Sequence, residues 1–321
     1  MKIVHLDSAT TTMDGLSLHP LDKFDHFVSY ESTSEQQVIE RAIEADILLV
    51  NKVVLNGEIM DQLPNLKYIS VCGTGYNNVD AKAARQRNIP VSNVRGYSTN
   101  SVVQHVFSML LHVINNVAYY DEEVMDNRWV ESNHFSFYDH SILELNGMTM
   151  GIYGYGTIGK MISRVAQAFG MNVLATRRNV PAQNEEGIQY VDFDTLLKES
   201  DVLTLHSSLN ESNAGIMDHS AFSKMKPSSI LINTARGGLI NEKDLAEALN
   251  NDKIAFACLD VLSTEPPSAQ NPVLNAKNCI ITPHIAWTSV EARRKLLVDT
   301  AENIKAFIEN RPLLNVVNEV I

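Results

Sequence analysis

The stretch Met148–Gly159, MTMGIYGYGTIG, runs from a short apolar segment directly into a G-x-G-x-x-G motif. The residues after it, up to Phe169, have apolar side chains at helical spacing. A strand, a tight turn and a helix in this order favour dinucleotide binding, because the turn brings the backbone to the pyrophosphate and the helix N-terminus faces it. An ordinary structural turn is the alternative. The residues predicted to bind a cofactor here are Gly154, Tyr155, Gly156, Thr157, Ile158 and Gly159.

The composition narrows the class of protein. The chain has 321 residues, 45% of them hydrophobic and 20% charged, which predicts two domains, or one large one, with ample capacity for a buried core. Its formal net charge of 26 − 38 = −12 argues against binding to nucleic acid or to an anionic membrane, because neutralising phosphates requires clustered Lys and Arg. No apolar run approaches the ~20 residues of a transmembrane helix. The first residues also lack the apolar region of a secretory signal.

The three cysteines indicate the cellular compartment. Cys72, Cys258 and Cys279 are an odd number without C-x-x-C spacing, and each lies in or beside an apolar segment. This pattern favours buried, reduced thiols and a cytoplasmic location. We expect no metal site.

Apolar segments alternate with helical patterns in two series, which predicts two parallel sheets covered by helices on both faces. The strands predicted in the first series are 2–6, 46–50, 68–72 and 90–94. The second series predicts six strands, 149–153, 172–175, 202–206, 229–233, 254–259 and 279–282. This number matches a six-stranded doubly wound fold.

Helical patterns connect and extend these series. Between first-series strands lie 35–45 and 80–87, with Asp80 suited to an N-cap. The second series has 160–169, 194–199 and 242–250, and an uncharged apolar run at 98–116 predicts a buried helix that links two domains. A last helix over 289–310 is expected to return to the first domain, which would then be discontinuous. The aromatic segment 119–145 fits neither series and is interpreted as an arm or a dimer contact.

Three polar side chains follow predicted strand ends in the second series, where ligands bind parallel sheets. Arg236 follows ILINTA, Glu265 follows ACLDVLST and His284 follows IITP. Hydride reduction of an anionic ketone needs a cation for the carboxylate and an acid for the developing alkoxide. Arg offers a forked permanent charge, and His holds or releases a proton near neutral pH. Taken singly, each residue has a simpler interpretation, as a solvated loop residue or a member of a structural hydrogen-bond network.

The motifs around these residues resemble the D-isomer-specific 2-hydroxyacid dehydrogenase family. The matching segments are 154–159, NTARGG at 233–238, LDVLSTEP at 259–266 and TPHIA at 282–286, in the family's order. The resemblance implies an α/β fold with two doubly wound parallel-sheet domains. It implies that a Rossmann NAD(P)-binding domain (99–287) is inserted in a discontinuous flavodoxin-like substrate domain (1–98 and 288–321). It also implies that Arg236, Glu265 and His284 are catalytic, with His284 as acid/base, Glu265 as its partner and Arg236 as substrate anchor.

The same resemblance implies further contacts. The loop VCGTGYNNVD at 71–80 would present backbone N–H groups of Gly73, Thr74 and Gly75 to the substrate carboxylate, with a plain turn as the alternative. Asn51 and Lys52 follow another strand and either face the substrate or are simply exposed. Asp260 would contact the nicotinamide carboxamide, and Thr234 and Ser207 would flank the cofactor. Relatives often have Pro at position 208, where this chain has Ser.

The choice of nicotinamide cofactor is predicted from the end of the second strand of the nucleotide-binding series. NAD-selective domains place an acidic residue about 20 positions after the glycine motif, where it binds the ribose 2′-hydroxyl. This chain has Arg177 and Arg178 there. Two guanidinium groups suit a 2′-phosphate, which favours NADP(H), with NAD(H) possible. The alternative is that both arginines are only solvent-exposed.

The function expected from these patterns is a cytoplasmic NAD(P)H-dependent 2-ketoacid reductase. Three segments, 97–105, 266–274 and Trp287, are most similar to the glycerate dehydrogenase (hydroxypyruvate reductase) branch, so hydroxypyruvate or glyoxylate is the expected substrate. Another 2-ketoacid such as pyruvate is an alternative, and so is a cofactor-sensing protein similar to the family's corepressors. The family resemblance implies a homodimer.

Overall fold

The computed structural model describes residues 1–177 and 187–320. In chain order its strands are β1 (Ile3–His5), β2 (Phe27–Ser29), β3 (Ile47–Val50), β4 (Tyr68–Val71), β5 (Val91–Ser92), β6 (Thr149–Tyr153), β7 (Asn172–Thr176), β8 (Ile188–Tyr190), β9 (Val202–Leu205), β10 (Ile230–Asn233), β11 (Phe256–Leu259) and β12 (Cys279–Ile281). The helices are α1 (Ala9–Thr12), α2 (Val38–Ala42), α3 (Gly57–Asp61), α4 (Ala81–Gln86), α5 (Thr99–Asn115), α6 (Val117–Met125), α7 (Thr157–Ala168), α8 (Phe193–Glu199), α9 (His219–Lys224), α10 (Glu242–Asn250) and α11 (Val290–Ile308).

The chain divides into two compact units. The terminal unit comprises Met1–Ser98 and Trp287–Ile321, and the central unit comprises Thr99–Ala286. This boundary lies one residue before the predicted one. Trp287 belongs to the terminal unit because its ring packs on that unit's core and meets Tyr97 edge-on, with ring centroids 6.3 Å apart.

The terminal unit is built on a parallel sheet in the order β2-β1-β3-β4-β5, which is the flavodoxin-like arrangement. Alternate residues of its strands point to opposite faces, so each strand contributes to two cores. Leu48 and Ile69 face the helices α2 to α4, whereas Ile47 and Tyr68 face α11. Burial on both faces explains why the inner strands are continuous apolar runs.

The central unit has a parallel sheet in the order β12-β11-β10-β9-β6-β7-β8, the doubly wound Rossmann order with one additional strand. The described part of this unit thus has seven strands, not the six that were predicted. β12 is the strand beyond the six of the Rossmann order, whereas the strand that was not predicted is β8. It lies at the other edge and has only one buried residue, Ile188, so it lacks an apolar run. The strand order reverses between β6 and β9, whose carboxyl ends therefore border the crevice where such sheets bind ligands.

Helix α5 is the buried helix expected from the uncharged run at 98–116. It packs with α7 against the sheet through Val103, Val106 and Leu110, which lie in one core with Cys258 of β11. Helix α6 begins the segment that fitted neither series. None of the helices within residues 1–177 and 187–320 combines the length and apolar character that crossing a bilayer demands.

Candidate active site

The glycine loop follows β6 at the point where the strand order reverses. Gly154 has a φ of +99°, and a Cβ there would lie 2.6 Å from the backbone nitrogen of Ser207, so only glycine fits without strain. A Cβ on Gly159 would lie 2.7 Å from the carbonyl oxygen of Gly154, which is the close approach of helix and strand. A Cβ on Gly156, in contrast, would meet no described atom within 4 Å. The loop therefore leaves open space in front of Gly156.

That open space lies at the N-terminus of α7. Gly156 is the N-cap residue and has no side chain to cap the helix, so the first-turn N–H groups and the positive end of the helix dipole remain for an anion. Thr157 is exposed and Ile158 half-buried. Tyr155, also predicted to bind the cofactor, points into the core, where its hydroxyl lies 2.9 Å from Ser163 Oγ. Only its backbone is placed to contact a cofactor.

The neighbouring strands β9 and β10 supply two more of the predicted residues. Ser207 follows β9, and its Oγ accepts a hydrogen bond from Asn213 Nδ2 at 3.3 Å. Thr234 follows β10, and its buried Oγ1 has no hydrogen-bond partner within the described part of the chain. A buried hydroxyl without a partner is costly and suggests that a ligand completes it. With the glycine loop, these residues fit a dinucleotide.

Arg177 and Arg178, which are predicted to select the cofactor, follow β7 in the sequence. β7 pairs with β6, the strand that leads into the glycine loop. Arg177 comes directly after Thr176 and is exposed. Arg178 lies outside the described residues. The sheet thus places one exposed cation beside the glycine loop.

A histidine and a carboxylate meet beyond the ends of β11 and β12. His284 Nδ1 lies 2.6 Å from Glu265 Oε2, and both side chains are partly exposed, at 26% and 31%. Because a carboxylate only accepts hydrogen bonds, Nδ1 carries a hydrogen and donates it to Glu265. The backbone N–H of Leu262 donates to the other carboxylate oxygen at 3.1 Å and so fixes Glu265. This arrangement leaves Nε2 of His284 for a substrate.

Arg236 follows β10, the strand beside β11, so it lies at the same carboxyl edge as the pair. Its turn is shaped by Asn233, whose side chain donates to the Arg236 carbonyl at 2.9 Å and accepts from the Ala235 N–H at 3.0 Å. The half-buried guanidinium donates through Nη1 to the Ala235 carbonyl at 2.6 Å. A forked cation held in this way is suited to a planar carboxylate.

Asp260 is fully buried directly after β11, and its carboxylate is occupied by the segment that carries His284. Oδ1 accepts from Thr282 Oγ1 at 2.6 Å and from the Ile285 N–H at 2.8 Å, and Oδ2 accepts from the Ala286 N–H at 2.9 Å. The family resemblance implies that Asp260 contacts the nicotinamide carboxamide, and it gave no indication of these bonds. The available signal was an acidic residue in an apolar strand end, because buried carboxylates are almost always paired.

The terminal unit has its own polar loops at the carboxyl edge of its sheet. Gly73 follows β4, and a Cβ there would meet no described atom within 4 Å. Thr74 Oγ1 donates to the Val94 carbonyl at 2.9 Å, and Asn93 Nδ2 donates to the Thr74 carbonyl. The loop containing Gly73, Thr74 and Gly75 is therefore held by its neighbours.

The second loop of this edge follows β3 and contains Asn51 and Lys52. Asp7 accepts three hydrogen bonds from consecutive backbone N–H groups, those of Asn51, Lys52 and Val53, at 2.8, 2.5 and 2.9 Å. Asn51 is half-buried and the Lys52 side chain is exposed. Sequence reasoning did not identify Asp7 as the residue that fixes this loop.

Comparisons with known proteins agree on one family. Residues 107–286, more than half of the chain, match the family model described as D-isomer specific 2-hydroxyacid dehydrogenase, NAD binding domain. The chain is 40% identical over 324 residues to a hydroxypyruvate reductase of Blautia hydrogenotrophica, covering 99% of this chain and 100% of that protein. It is 39% identical over 293 residues to a glycerate dehydrogenase of Methylorubrum extorquens, covering 90% and 91%.

A solved structure extends the similarity to the three-dimensional fold. An acyclic imino acid reductase, Bsp5, in complex with NADPH and D-Arg matches with a TM-score of 0.86 and 31% identity, covering 99% of this chain and 100% of that chain. The chain belongs to the D-isomer-specific 2-hydroxyacid dehydrogenase family, nicotinamide-dependent oxidoreductases that act on the CH–OH group of 2-hydroxyacids.

Proposed function

We propose that this chain reduces hydroxypyruvate or glyoxylate to the corresponding 2-hydroxyacid, glycerate in the D configuration or glycolate, with NADPH preferred over NADH. The observation that carries the proposal is the His284–Glu265 pair, with its 2.6 Å hydrogen bond and a ring nitrogen left for substrate. Two enzymes at 40% and 39% identity, a hydroxypyruvate reductase and a glycerate dehydrogenase, support this choice of substrate.

In the proposed mechanism, His284 is the general acid. A reduced nicotinamide, when bound, supplies the hydride for the carbonyl carbon. Nε2–H of the protonated imidazole donates its proton to the carbonyl oxygen as negative charge develops there, so the C=O group becomes CH–OH. Glu265 stabilises the imidazolium before this transfer and keeps the ring aligned throughout through the Nδ1–H bond. In the oxidative direction the neutral ring takes the proton back.

The substrate carboxylate is assigned to a cation and to backbone N–H groups. Arg236 would bind it through the guanidinium fork, which also draws negative charge toward the carbonyl oxygen. The backbone of Gly73, Thr74 and Gly75 would supply further donors, because a glycine loop at a strand end forms an anion-binding concavity. Both substrates share the carboxylate that these groups would bind. Selectivity among 2-ketoacids would then depend on the group beyond the carbonyl, which is a hydroxymethyl group in hydroxypyruvate and a hydrogen in glyoxylate.

The preference for NADPH rests on charge. The part of the dinucleotide that NAD(H) and NADP(H) share is assigned to the glycine loop, Ser207 and Thr234. The 2′-phosphate, which only NADP(H) carries, would pair with Arg177 and with Arg178, the next residue in the sequence. No carboxylate occupies position 177, and the similar imino acid reductase structure contains NADPH. These observations support NADP(H) as the preferred cofactor.

A second candidate activity is the reduction of acyclic imino acids. It is favoured by the 0.86 TM-score to a reductase of that class. The nitrogen of a protonated imine already carries its proton, so addition of a hydride to the carbon gives the amine directly. A ketone, in contrast, needs both a hydride and a proton. This activity would therefore be less sensitive to loss of His284 than ketoacid reduction.

The proposed homodimer is supported by the segment that begins with α6. Large apolar side chains are exposed along it, up to 91% for Phe135, which is unusual for a monomer surface. The others are Val117, Val124, Met125, Trp129, Val130, Tyr138, Ile142 and Leu143. Sedimentation equilibrium should give twice the chain mass, and charged substitutions at Phe135 and Val130 should shift it to the monomer. A monomer at micromolar concentration would contradict the proposal.

A cytoplasmic location is supported by the thiols. Cys72, Cys258 and Cys279 are all free, and burial raises the pKa of each. Free, unreactive thiols are typical of proteins from reducing compartments.

Steady-state kinetics test the proposed function. Hydroxypyruvate, glyoxylate and pyruvate are each measured with NADPH and with NADH, and a ketoacid mixed with an amine tests imine reduction. We expect the highest kcat/KM for hydroxypyruvate or glyoxylate with NADPH, and D-glycerate as the product from hydroxypyruvate. If NADPH binds but no compound is reduced, the reductase proposal is wrong and a cofactor-sensing role replaces it.

A further inference from the structure

The segment 282–286, which carries His284, is attached to α5 at two points. Ser101 Oγ donates to the Ala286 carbonyl at 2.6 Å, and His105 Nε2 lies 3.0 Å from Thr282 Oγ1. Ser101 and His105 are four residues apart, so they lie on one face of the helix, one turn from each other. The helix thus holds both ends of the segment, with His284 in the middle.

The direction of the hydrogen bonds at His105 follows from Thr282. Its hydroxyl has one hydrogen, and its Oγ1 lies 2.6 Å from Oδ1 of Asp260, which as a carboxylate only accepts. The hydroxyl hydrogen therefore goes to Asp260, and Oγ1 accepts a hydrogen from His105 Nε2. The same nitrogen lies 3.5 Å from Asp260 Oδ1. His105, Thr282 and Asp260 form a directed chain in which the imidazole is the donor.

Asp260 connects this chain to the backbone of His284 and of the two residues that follow it. Its carboxylate accepts the N–H groups of Ile285 and Ala286, and its carbonyl accepts the N–H of His284 at 2.9 Å. His284 itself has a φ of +55°, a left-handed conformation that costs a non-glycine residue free energy and persists only where the surroundings hold it. The hydrogen bonds that Asp260 accepts hold this conformation, together with a bond from the His284 N–H to the Thr282 carbonyl at 2.9 Å.

We propose that His105 is a positioning residue for proton transfer: through Thr282 and Asp260 it keeps the strained His284 backbone, and hence its Nε2, in the reactive geometry. Ser101 serves the same purpose at the other end of the segment. This inference rests on the proposed role of His284 as general acid. Because proton transfer requires placement to within about 0.5 Å, loss of a single support is expected to lower turnover without removing substrate binding.

The test replaces the donor at position 105. His105→Leu removes the Nε2–H at similar volume, and His105→Gln keeps an N–H donor near the Nε2 position. We expect His105→Leu to lower kcat about tenfold, equivalent to about 1.4 kcal/mol, with KM for hydroxypyruvate and Kd for NADPH changed less than twofold. His105→Gln should recover kcat to within about threefold of the original. His112→Leu, an exposed histidine of the same helix, is the matched control and should leave kcat unchanged.

A double-mutant cycle with His284→Ala separates this inference from the proposed function. If His105 acts through His284, adding His105→Leu to His284→Ala lowers kcat further by less than twofold. A further tenfold loss, or an unchanged kcat in the single His105→Leu variant, would overturn the inference while leaving the role of His284 intact. An unchanged kcat in His284→Ala alone would overturn the proposed function instead.

Ser101→Ala keeps the test decisive if His105→Leu does not fold. It removes the other attachment of the segment and is expected to lower kcat about threefold to tenfold with KM unchanged. His105→Asn is a second replacement at position 105 for that case, because the shorter side chain offers no donor at the Nε2 position. An unchanged kcat in both Ser101→Ala and a folded His105→Asn protein would overturn the inference.

Discussion

Nδ1 of His284 and Oε2 of Glu265 are 2.6 Å apart although the two residues follow different strands of the sheet. The hydrogen bond fixes the tautomer of the imidazole and directs Nε2 away from the carboxylate. Further hydrogen bonds fix both residues. The Leu262 N–H donates to the Glu265 carboxylate, and the His284 N–H donates to the Asp260 carbonyl. The pair is therefore oriented before any substrate arrives.

Loss of either member of the pair should reduce turnover more than binding. His284→Ala removes the proton donor, and we expect kcat for ketoacid reduction to fall at least about 100-fold, with KM changed less than about threefold. Glu265→Gln keeps an acceptor but removes the charge, so a smaller loss, about tenfold, is expected. His219→Ala, on an exposed helix start, is the control. Near-normal kcat in His284→Ala would show that another group supplies the proton.

Replacing Arg236 should weaken substrate binding first. In Arg236→Lys a single ammonium replaces the guanidinium fork, so the carboxylate loses one of two parallel hydrogen bonds. We expect KM for hydroxypyruvate to rise about tenfold or more, with a smaller fall in kcat. Steady-state kinetics check this against Arg294→Lys, an exposed arginine of α11. An unchanged KM would remove Arg236 from substrate binding.

The glycine loop predicts opposite outcomes for two alanine substitutions. Gly156→Ala meets open space, so the protein should keep its Tm, but the new methyl group occupies the place assigned to the pyrophosphate. We expect the Kd for NADPH, measured by fluorescence titration, to rise at least about tenfold. Gly154→Ala should instead lower Tm, because its Cβ would lie 2.6 Å from the Ser207 nitrogen. Unchanged NADPH affinity in Gly156→Ala would place the cofactor elsewhere.

Reversing the charge at position 177 should change the cofactor preference. Arg177→Asp removes a partner for the 2′-phosphate and introduces an acceptor for a ribose hydroxyl, so the NADPH/NADH ratio of kcat/KM should fall at least about tenfold. Arg294→Asp makes the same charge change far along the sequence, in α11. If both variants keep the original ratio, Arg177 does not select the cofactor.

The fully buried His5 and the half-buried His206 predict loss of stability in mild acid. Burial lowers the pKa of His5 to about 4 and that of His206 to about 3. Each histidine takes up a proton near pH 6.5 in the unfolded chain but not in the folded one. Their contribution to the free energy of unfolding is therefore largest above pH 6.5. It falls as the pH drops toward 4. Oδ1 of Asp7 lies 3.9 Å from His5 Nε2.

Urea unfolding at pH 7 and pH 5 measures this effect. His5→Leu should reduce the loss of stability between the two pH values by about 2 kcal/mol, since one of the two groups no longer titrates. The exposed His134, replaced in the same way, should leave the loss unchanged. An equal pH dependence in His5→Leu and the original protein would contradict burial of a neutral His5.

The local sequence was sufficient to predict strands that are continuous apolar runs and a helix start with a capping side chain. The apolar runs of β3, β4, β6 and β10 lie within one residue of their predicted bounds or inside them, and Asp80 accepts the Ala83 N–H as the predicted N-cap. β2 and β8 were not predicted. Each has three residues at a sheet edge and is only partly buried, so its strand conformation depends on pairing with a neighbour.

The sequence by itself determined the two parallel sheets, the glycine loop and which polar side chains follow strand ends, because these depend on short-range periodicity and strand direction. Only the tertiary structure decided what those side chains contact. His105 and Thr282 are 177 positions apart, and Asp260 binds the backbone of a segment more than twenty residues away. The first contact depends on the packing of α5 against the sheet and the second on the pairing of β11 with β12, since no local pattern specifies which buried donor meets which acceptor.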